Sequence, residues 1–255
     1  MRFAGDVGWG SQSSAPRTAR PSSGCTAHPA LLADTLGVDT MRMIGLSGGG
    51  PYALAAGAAL PSRVRAVAVM GGVAPTTGTD AVAGGAVALA AHFSPFISHA
   101  RLPIGLLLTV GIRLVRPLAG RVLDLYALVQ PEGDRRLLGR PEFKAMFLDD
   151  LLNGSRKQVT APLSDLLLFT RHWGFDAADV AVPVCWWHGD KDHIVPHRHG
   201  VHIVQRLPDA ELRTIAGESH LAGFGCAEEV LATLMTLDSN RTSSVARATG
   251  PVART

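Results

Sequence analysis

The sequence has few cysteines and no long uninterrupted apolar run. Its 3 cysteines, Cys25, Cys185 and Cys226, are odd in number and far apart, as expected for free thiols in a reducing compartment. No N-terminal segment combines a charged region with an apolar core of secretory length, and no apolar run reaches the roughly 20 residues that a membrane span needs. We therefore expect a cytoplasmic protein that does not insert stably into a membrane.

Lysine is scarce as well, and positive charge is not concentrated in one region. The formal net charge is only +3, and arginines are scattered along the chain, so we expect no nucleic-acid partner. The abundance of arginine, alanine, glycine and valine is typical of GC-rich bacterial genomes. With 255 residues, of which 47% are apolar, the chain can bury one α/β core that carries an insertion.

A glycine-rich corner around Ser47 is the most informative motif. Residues 41–46 form an apolar run typical of a buried strand, and Pro51–Leu60 is typical of a helix with proline in its first turn. The pattern Gly-x-Ser-x-Gly over Gly45–Gly49 predicts a sharp strand-to-helix turn, a nucleophile elbow, from which the serine hydroxyl projects. The alternative is a glycine-rich turn that carries a solvated serine.

Candidates for an acid and a base follow two later strands. The apolar run Val182–Trp187 predicts a strand buried on both faces, and it leads directly into Asp190 and Asp192. The run Glu211–Ile215 predicts another strand, and His220 lies on the loop that follows it. Side chains that follow the ends of parallel strands lie at the edge of the sheet where sites form in open α/β proteins. The three candidates therefore occur in the order serine, aspartate, histidine.

In these motifs the chain resembles the α/β-hydrolase superfamily, and within it the cap-bearing serine hydrolases, which include esterases, lipases and prolyl iminopeptidases. The family's small-x-Ser-x-Gly elbow, Gly-x-x-Asp loop and Gly-x-x-His loop match Ser47, Asp192 after Gly189, and His220 after Gly217. The resemblance implies an α/β-hydrolase fold with a mostly parallel sheet and an inserted helical cap. It also implies a catalytic triad of Ser47, Asp192 and His220, with the Gly48 backbone amide in the oxyanion hole.

Asp190 competes with Asp192 for the role of the acid, since both lie in one turn. The family places the acid three residues after the glycine, which favours Asp192. Asp190 is better explained as a turn former whose carboxylate binds local backbone amides.

The histidine-rich stretch in the same region also permits a metal site. His188–His193 loosely resembles a metallo-hydrolase box, and His197, His199 and His202 follow closely, so nitrogen and oxygen ligands are plentiful. On a helix that begins near Pro196, however, His199 and His202 lie one turn apart and His197 lies on another face. A solvated basic helix face is the simpler interpretation, and we expect no metal and no cofactor.

The positions of the motifs predict how the chain is organised. Residues 1–73 form the N-terminal part of the core with the elbow, 74–180 a helical cap, 181–238 the C-terminal part of the core with the acid and the histidine, and 239–255 a disordered tail. The last core helix is predicted from about Ala227 to Leu237. Within the cap, Leu102–Leu118 carries a broad apolar stripe with arginines at its flanks. Trp173 and Phe175 close the cap, where their rings line the substrate pocket or anchor the hinge.

The segment before the elbow is short for the family, which usually has three more strands there. Arg2–Gly10 resembles the family's fourth strand and the turn after it, so the chain is expected to lack the N-terminal strands. Residues 16–23 predict a loop, and Pro29–Leu36 predicts a helix. Without the third strand the elbow strand has an exposed edge, which is a route to self-association, and no residue can be named as the second oxyanion donor.

The resemblance implies nucleophilic acyl transfer through an acyl-enzyme. The apolar stripe of the cap favours an apolar acyl or alkyl group, so the first choice of substrate is a small-molecule carboxylic ester that carries one. Peptide hydrolysis and carbon–carbon bond hydrolysis are alternatives on the same scaffold. Another alternative is a catalytically weak or silent truncated member that acts as a binding module. A serine at the elbow argues against haloalkane and epoxide chemistry, for which the family uses aspartate.

Overall fold

The computed structural model describes residues 21–154 and 167–248, which form a parallel sheet with helices around it. The strands are β1 (Met41–Leu46), β2 (Val64–Met70), β3 (Val184–Gly189) and β4 (Ala210–Ile215). The sheet order is β1-β2-β3-β4, and each neighbouring pair is parallel. The predicted α/β class and parallel sheet are confirmed. In the described ranges β1 has β2 as its one neighbouring strand.

Helices occur before, between and after the strands. Those of the core are α1 (Pro21–Leu36), α2 (Gly49–Ala59), α9 (Arg198–Val204), α10 (Ala222–Gly225) and α11 (Ala227–Ala248). Those inserted between β2 and β3 are α3 (Gly85–His92), α4 (Ser94–His99), α5 (Arg101–Val115), α6 (Ala119–Leu128), α7 (Glu132–Leu138) and α8 (Pro141–Gly154). Short 3-10 turns occur at Arg116–Leu118 and Ala177–Asp179. We call α3–α8 the inserted helices.

The two faces of the sheet bury separate apolar clusters. Trp186 on β3 packs into one cluster with Leu54 of α2 and Ile203 of α9. The next residue, Trp187, packs into the other cluster with Val230 of α11. Both tryptophans are fully buried, because consecutive side chains of a strand point to opposite faces of the sheet. The continuous apolar run is thus explained by a strand that is covered on both faces, as predicted.

Several boundaries differ from the sequence predictions. Strand β3 begins at Val184 rather than Val182, since Pro183 has no N–H group with which to join the ladder. Helix α1 begins at Pro21, within the predicted loop, and proline is favoured at the first position of a helix. Helix α11 continues to Ala248, ten residues into the segment predicted as a disordered tail, because residues 239–248 contain neither glycine nor proline. Residues 1–20 and 249–255 lie outside the described residues. The first of these ranges includes Arg2–Gly10, the segment that resembles the family's fourth strand.

The later inserted helices share a cluster with the core next to the histidine loop. Leu123 of α6 and Leu137 of α7 are buried against Leu221, which directly follows the candidate base, and Phe143 of α8 and Phe224 of α10 pack on the same cluster. The inserted helices therefore touch the core at the edge of the sheet where His220 lies.

The segment Leu102–Leu128 has an unusual composition for its position. Within the described ranges it is the one helical stretch long and apolar enough to cross a membrane, with a mean hydropathy of 1.6 and only 11% of its most apolar window buried. Arg113, Arg116, Arg121 and Asp124 interrupt its apolar run, so the sequence alone predicts no membrane span there.

Candidate active site

Ser47 occupies the corner between β1 and α2. Its φ angle is +51°, and it is the one non-glycine residue in the described part of the chain with a positive φ. A side chain in this region is strained, so the surrounding contacts must hold the backbone there. The Ser47 N–H donates to the carbonyl of Met70 at 2.7 Å, and the Ser47 carbonyl accepts from the Gly50 N–H at 3.0 Å.

The glycines on either side of Ser47 have different roles. A Cβ on Gly45 would lie 2.6 Å from the carbonyl oxygen of Gly49, so the strand and the helix can approach only if residue 45 is glycine. A Cβ on Gly49 would meet no heavy atom within 4 Å. Close approach of the strand and the helix therefore requires glycine at position 45 and not at position 49, whose backbone is the surface that Gly45 approaches.

His220 lies between the serine and the acid. Its Nε2 atom is 2.9 Å from Ser47 Oγ, and its Nδ1 atom is 2.7 Å from Asp192 Oδ2. The Asp192 carboxylate can only accept, so Nδ1–H donates to it and Nε2 accepts the serine hydroxyl. The structure therefore brings the three sequence candidates, from three separate strand ends, into one hydrogen-bonded chain.

Asp192 is buried and is held through both carboxylate oxygens. Oδ1 accepts hydrogen bonds from the N–H groups of Ile194 and Val195, each at 2.9 Å, and Oδ2 accepts from His220. Burial by itself would raise the pKa of the carboxyl group, but hydrogen bonds from His188, His220 and Val195 outweigh it and lower the pKa below its ordinary value. The acid is therefore ionised at neutral pH.

Asp190 has a different partner. Its side chain is exposed, and Oδ1 accepts a hydrogen bond from the N–H of Gly217 at 2.8 Å. This bond joins the turn after β3 to the loop that leads to His220. The structure brings Asp192, and not Asp190, to the histidine.

His188 is a member of this site that sequence reasoning placed only in a metal motif. The Trp186 indole N–H donates to His188 Nδ1 at 3.0 Å, so the ring proton is on Nε2, which donates to the carbonyl of Val195 at 2.8 Å. The same Nε2 atom is 3.4 Å from Asp192 Oδ2. His188 is thus buried next to the Asp192 carboxylate, with its Nε2–H as the hydrogen-bond donor.

Gly48 follows the serine and is the N-cap residue of α2, so its backbone N–H lies at the N-terminal end of that helix. The Phe169 ring packs over it: a Cβ on Gly48 would come within 2.6 Å of Phe169 Cζ. Phe169 also contacts Tyr52 edge-on, with ring centroids 6.3 Å apart. The Phe169 carbonyl accepts from the Thr76 hydroxyl at 2.8 Å, which ties Phe169 to the chain beyond β2.

Trp173 and Phe175, which were predicted either to line the substrate pocket or to anchor the hinge, pack against each other and on the core. Their rings lie 5.8 Å apart and rest on the core cluster that contains Val180 and Val182. These contacts fit the hinge-anchoring alternative. Phe169, only four residues before Trp173, contacts the elbow instead, and no sequence signal distinguished it.

Asp134, on α7, is a second buried carboxylate near the histidine. Oδ1 accepts a hydrogen bond from the Leu221 N–H at 3.2 Å. Burial raises the pKa of this carboxyl group. On the same helix, Arg136 forms an ion pair with Glu218 at 2.8 Å. Helix α7 therefore holds the histidine loop on both sides of His220.

The other histidines point to separate partners. His197 bonds the Thr214 hydroxyl at 2.8 Å, His202 pairs with Asp80 at 3.0 Å, and His199 accepts the Ala74 N–H at 3.1 Å. Among the residues that the structure describes, no three His, Cys, Asp or Glu side chains come together in a group that could hold a metal ion.

The comparison with known families agrees with this geometry. A sequence model of the family described as alpha/beta hydrolase fold matches residues 30–225, from α1 to the end of α10. The chain belongs to the alpha/beta hydrolase family. The resemblance inferred from the three motifs is thereby confirmed, as is the fold class. No curated protein matches the chain.

Solved structures of this family share the fold at low sequence identity. The esterase RhEst1 from Rhodococcus sp. ECU1013 is 21% identical, with a TM-score of 0.59 over 88% of this chain and 76% of that one. The esterase EaEST from Exiguobacterium antarcticum is 15% identical, with a TM-score of 0.60 over 91% and 78%. A bromoperoxidase from Bacillus anthracis is 15% identical, with a TM-score of 0.57 over 89% and 77%. The family supports a hydrolase, and the substrate must be inferred from this chain's own residues.

Proposed function

We propose that this alpha/beta hydrolase is a serine hydrolase that cleaves a carboxylic ester with an apolar acyl or alkyl group, through an acyl-enzyme intermediate. The observation that carries the proposal is the 2.9 Å separation of His220 Nε2 from Ser47 Oγ, on a histidine whose Nδ1 is bound to Asp192. A serine alcohol is a weak nucleophile unless a base removes its proton as it attacks, and this geometry supplies the base.

The first half of the reaction forms the acyl-enzyme. Ser47 Oγ attacks the carbonyl carbon of the ester while its proton moves to His220 Nε2, and the carbonyl oxygen takes the negative charge beside the Gly48 N–H. The tetrahedral intermediate then breaks its bond to the alcohol oxygen. His220 gives the proton to this oxygen, and the alcohol leaves.

Water reverses the sequence in the second half. His220 Nε2 takes a proton from water as the water oxygen attacks the acyl carbon, and the proton then returns to Ser47 Oγ as the carboxylic acid is released. Asp192 keeps the Nδ1–H tautomer and stabilises the imidazolium in both halves. Its lowered pKa supports this role, because the carboxylate remains charged while the histidine cycles.

An apolar substrate group is supported by the residues around the elbow. Phe169 covers Gly48 and contacts Tyr52, so an aromatic wall flanks the serine. We extend the proposal to the inserted segment 74–180, which we interpret as a cap. Two contacts support this interpretation. Phe169, which belongs to the segment, packs over Gly48 at the elbow, and α7 is bonded to the histidine loop. The esterases among the structural neighbours agree with this choice, although at 15–21% identity they carry the fold alone.

Steady-state and burst kinetics with p-nitrophenyl acetate, butyrate and decanoate test the proposal, with Ser47→Ala as the matched control. We expect a burst of p-nitrophenolate equal to the enzyme concentration, a lower KM for the longer chains, and a loss of at least about 10³-fold in kcat in Ser47→Ala. Hydrolysis no faster than that of Ser47→Ala would identify a silent binding module instead. A preference for p-nitroanilides would point to a peptidase.

A further inference from the structure

Helix α5 exposes an apolar face that is far wider than a surface helix normally shows. Leu107 is 73% exposed and Leu114 is 75% exposed. The face comprises these two residues and their exposed neighbours on the same helix, Leu106, Leu108, Val110 and Val115. We call these six residues the α5 face.

Only a narrow side of α5 is covered by the rest of the protein. Gly105 and Thr109 are buried and Ile112 is half-buried on this side, and Ile104, near the start of the helix, is also half-buried. At about 100° per residue, the α5 face then extends over roughly 200° of the helix circumference, and it contains no polar side chain. The solvent side of a surface helix is normally polar, and exposed apolar patches of this kind mark interaction sites.

The charge of the chain segment that carries this face is mostly positive. Between Asp80 and Glu132 the sequence contains four arginines and a single acid, Asp124, whose carboxylate forms an ion pair with Lys144. Two of those arginines, Arg116 and Arg121, are exposed directly after α5. A partner that complements this face has an apolar interior that receives the leucines and an anionic surface that faces the arginines. A second copy of the chain would instead bring arginines against arginines.

We propose that the α5 face binds the surface of an anionic lipid bilayer, with the helix lying in the plane of the interface. The leucines enter the boundary between headgroups and acyl chains, while Arg116 and Arg121 contact lipid phosphates. None of the six residues of the α5 face is among those described at the serine site, and the proposal does not depend on the proposed esterase activity.

A peripheral position fits the segment better than a spanning one. Helix α5 has 15 residues and is therefore about 22 Å long, which is shorter than the roughly 30 Å hydrocarbon core. The 3-10 turn at Arg116–Leu118 interrupts the path to α6. In a spanning orientation Arg113 and Arg116 would lie near the middle of the bilayer, where a charge is costly. Lying in the interface leaves them at the headgroups.

Vesicle sedimentation tests the proposal on the whole chain. The probes are sucrose-loaded vesicles of phosphatidylcholine with and without phosphatidylglycerol, at about 0.1 M and about 0.5 M salt. The disrupting variant is Leu107→Glu/Leu114→Glu, whose sites are so exposed that the fold should tolerate the change. The matched control is Leu31→Glu, since Leu31 is 64% exposed on α1. Arg116→Gln/Arg121→Gln tests the charge.

We expect binding to the anionic vesicles that high salt weakens. It should fall at least tenfold in the leucine variant and about fivefold per arginine removed, and it should remain unchanged in Leu31→Glu. No binding by the wild type, or an equal loss in Leu31→Glu, would overturn the proposal. A concentration-dependent dimer in light scattering that Leu107→Glu/Leu114→Glu abolishes would also overturn it and assign the face to a second copy. Tight binding to neutral vesicles that resists high salt would point to insertion rather than peripheral contact.

Discussion

The Nε2 atom of His220 lies 2.9 Å from the Oγ atom of Ser47, although 173 positions separate the two residues in the chain. Ser47 follows β1 and His220 follows β4, which are the two outer strands of the described sheet. The pair therefore meets only if all four strands align with their carboxyl ends at one edge. The geometry of the site is in this sense a consequence of the parallel order of the sheet.

The two aspartates of the turn after β3 should differ sharply in importance. Asp192→Asn should lower kcat by roughly 10³- to 10⁴-fold, because an amide cannot hold the Nδ1–H tautomer of His220 in the same way. Asp190→Asn should lower kcat by less than about tenfold, since Asp190 Oδ1 accepts from Gly217 and an amide oxygen can replace it. Ester hydrolysis and melting temperature measured side by side check this. A larger loss in Asp190→Asn would reverse the assignment.

Gly45 and Gly49 form a matched pair at the elbow. Gly45→Ala should destabilise the fold by about 1–3 kcal/mol and reduce activity, because its Cβ would collide with the Gly49 carbonyl at 2.6 Å. Gly49→Ala should change the free energy of unfolding by less than about 1 kcal/mol, since its Cβ enters open space at the first position of a helix. Urea unfolding of both variants gives the comparison. Equal destabilisation would show that the elbow needs both glycines after all.

Asp134 should be needed as a hydrogen-bond acceptor. Asp134→Ala leaves the buried Leu221 N–H without a partner, which should cost about 1–3 kcal/mol of stability and lower kcat, because His220 is the adjacent residue. Asp134→Asn keeps an acceptor and should retain most of both. The control is Arg136→Gln, which breaks the ion pair between the same helix and Glu218 of the histidine loop at a cost of less than about 1 kcal/mol. An Asp134→Ala variant with wild-type stability and kcat would contradict this role.

His199 should make the stability depend on pH. Burial lowers the pKa of His199 from 6.5 to about 4, so the unfolded chain binds a proton between these values while the folded chain does not. The free energy of unfolding should therefore fall as the pH falls from 6.5 to 4, by about 3 kcal/mol from this residue. The difference between wild type and His199→Gln, followed by urea unfolding across this range, isolates the contribution. Parallel pH curves for the two proteins would contradict it.

The core of the site was predictable because its residues stand in local patterns. Ser47, Asp192 and His220 each follow an apolar run at a fixed distance from a glycine, and strand and turn chemistry is set by a few neighbouring residues. The parallel sheet followed from the same runs. The family's spacing, with the acid three residues after the glycine, also favours Asp192 over Asp190.

Residues whose roles arise from tertiary packing were not predictable. Asp134 looks like an ordinary acid in the first turn of a short helix, and its burial depends on α7 packing against the histidine loop. Phe169 and Trp173 are neighbouring aromatics in the chain, and only the path of the segment decides which one contacts the elbow. The exposure of the α5 face could not be read from its periodicity, which is equally typical of a helix packed in a core.

Labelling with a fluorophosphonate probe tests the central claim most directly, because the probe reacts rapidly only with an activated serine. We predict stoichiometric labelling of the wild type, located on the Ser47 peptide by mass spectrometry, none in Ser47→Ala, and a rate at least about 10³-fold lower in His220→Ala. Absence of labelling in the folded wild type, labelling at another serine, or an undiminished rate in His220→Ala would contradict the claim that Ser47 and His220 form a catalytic pair.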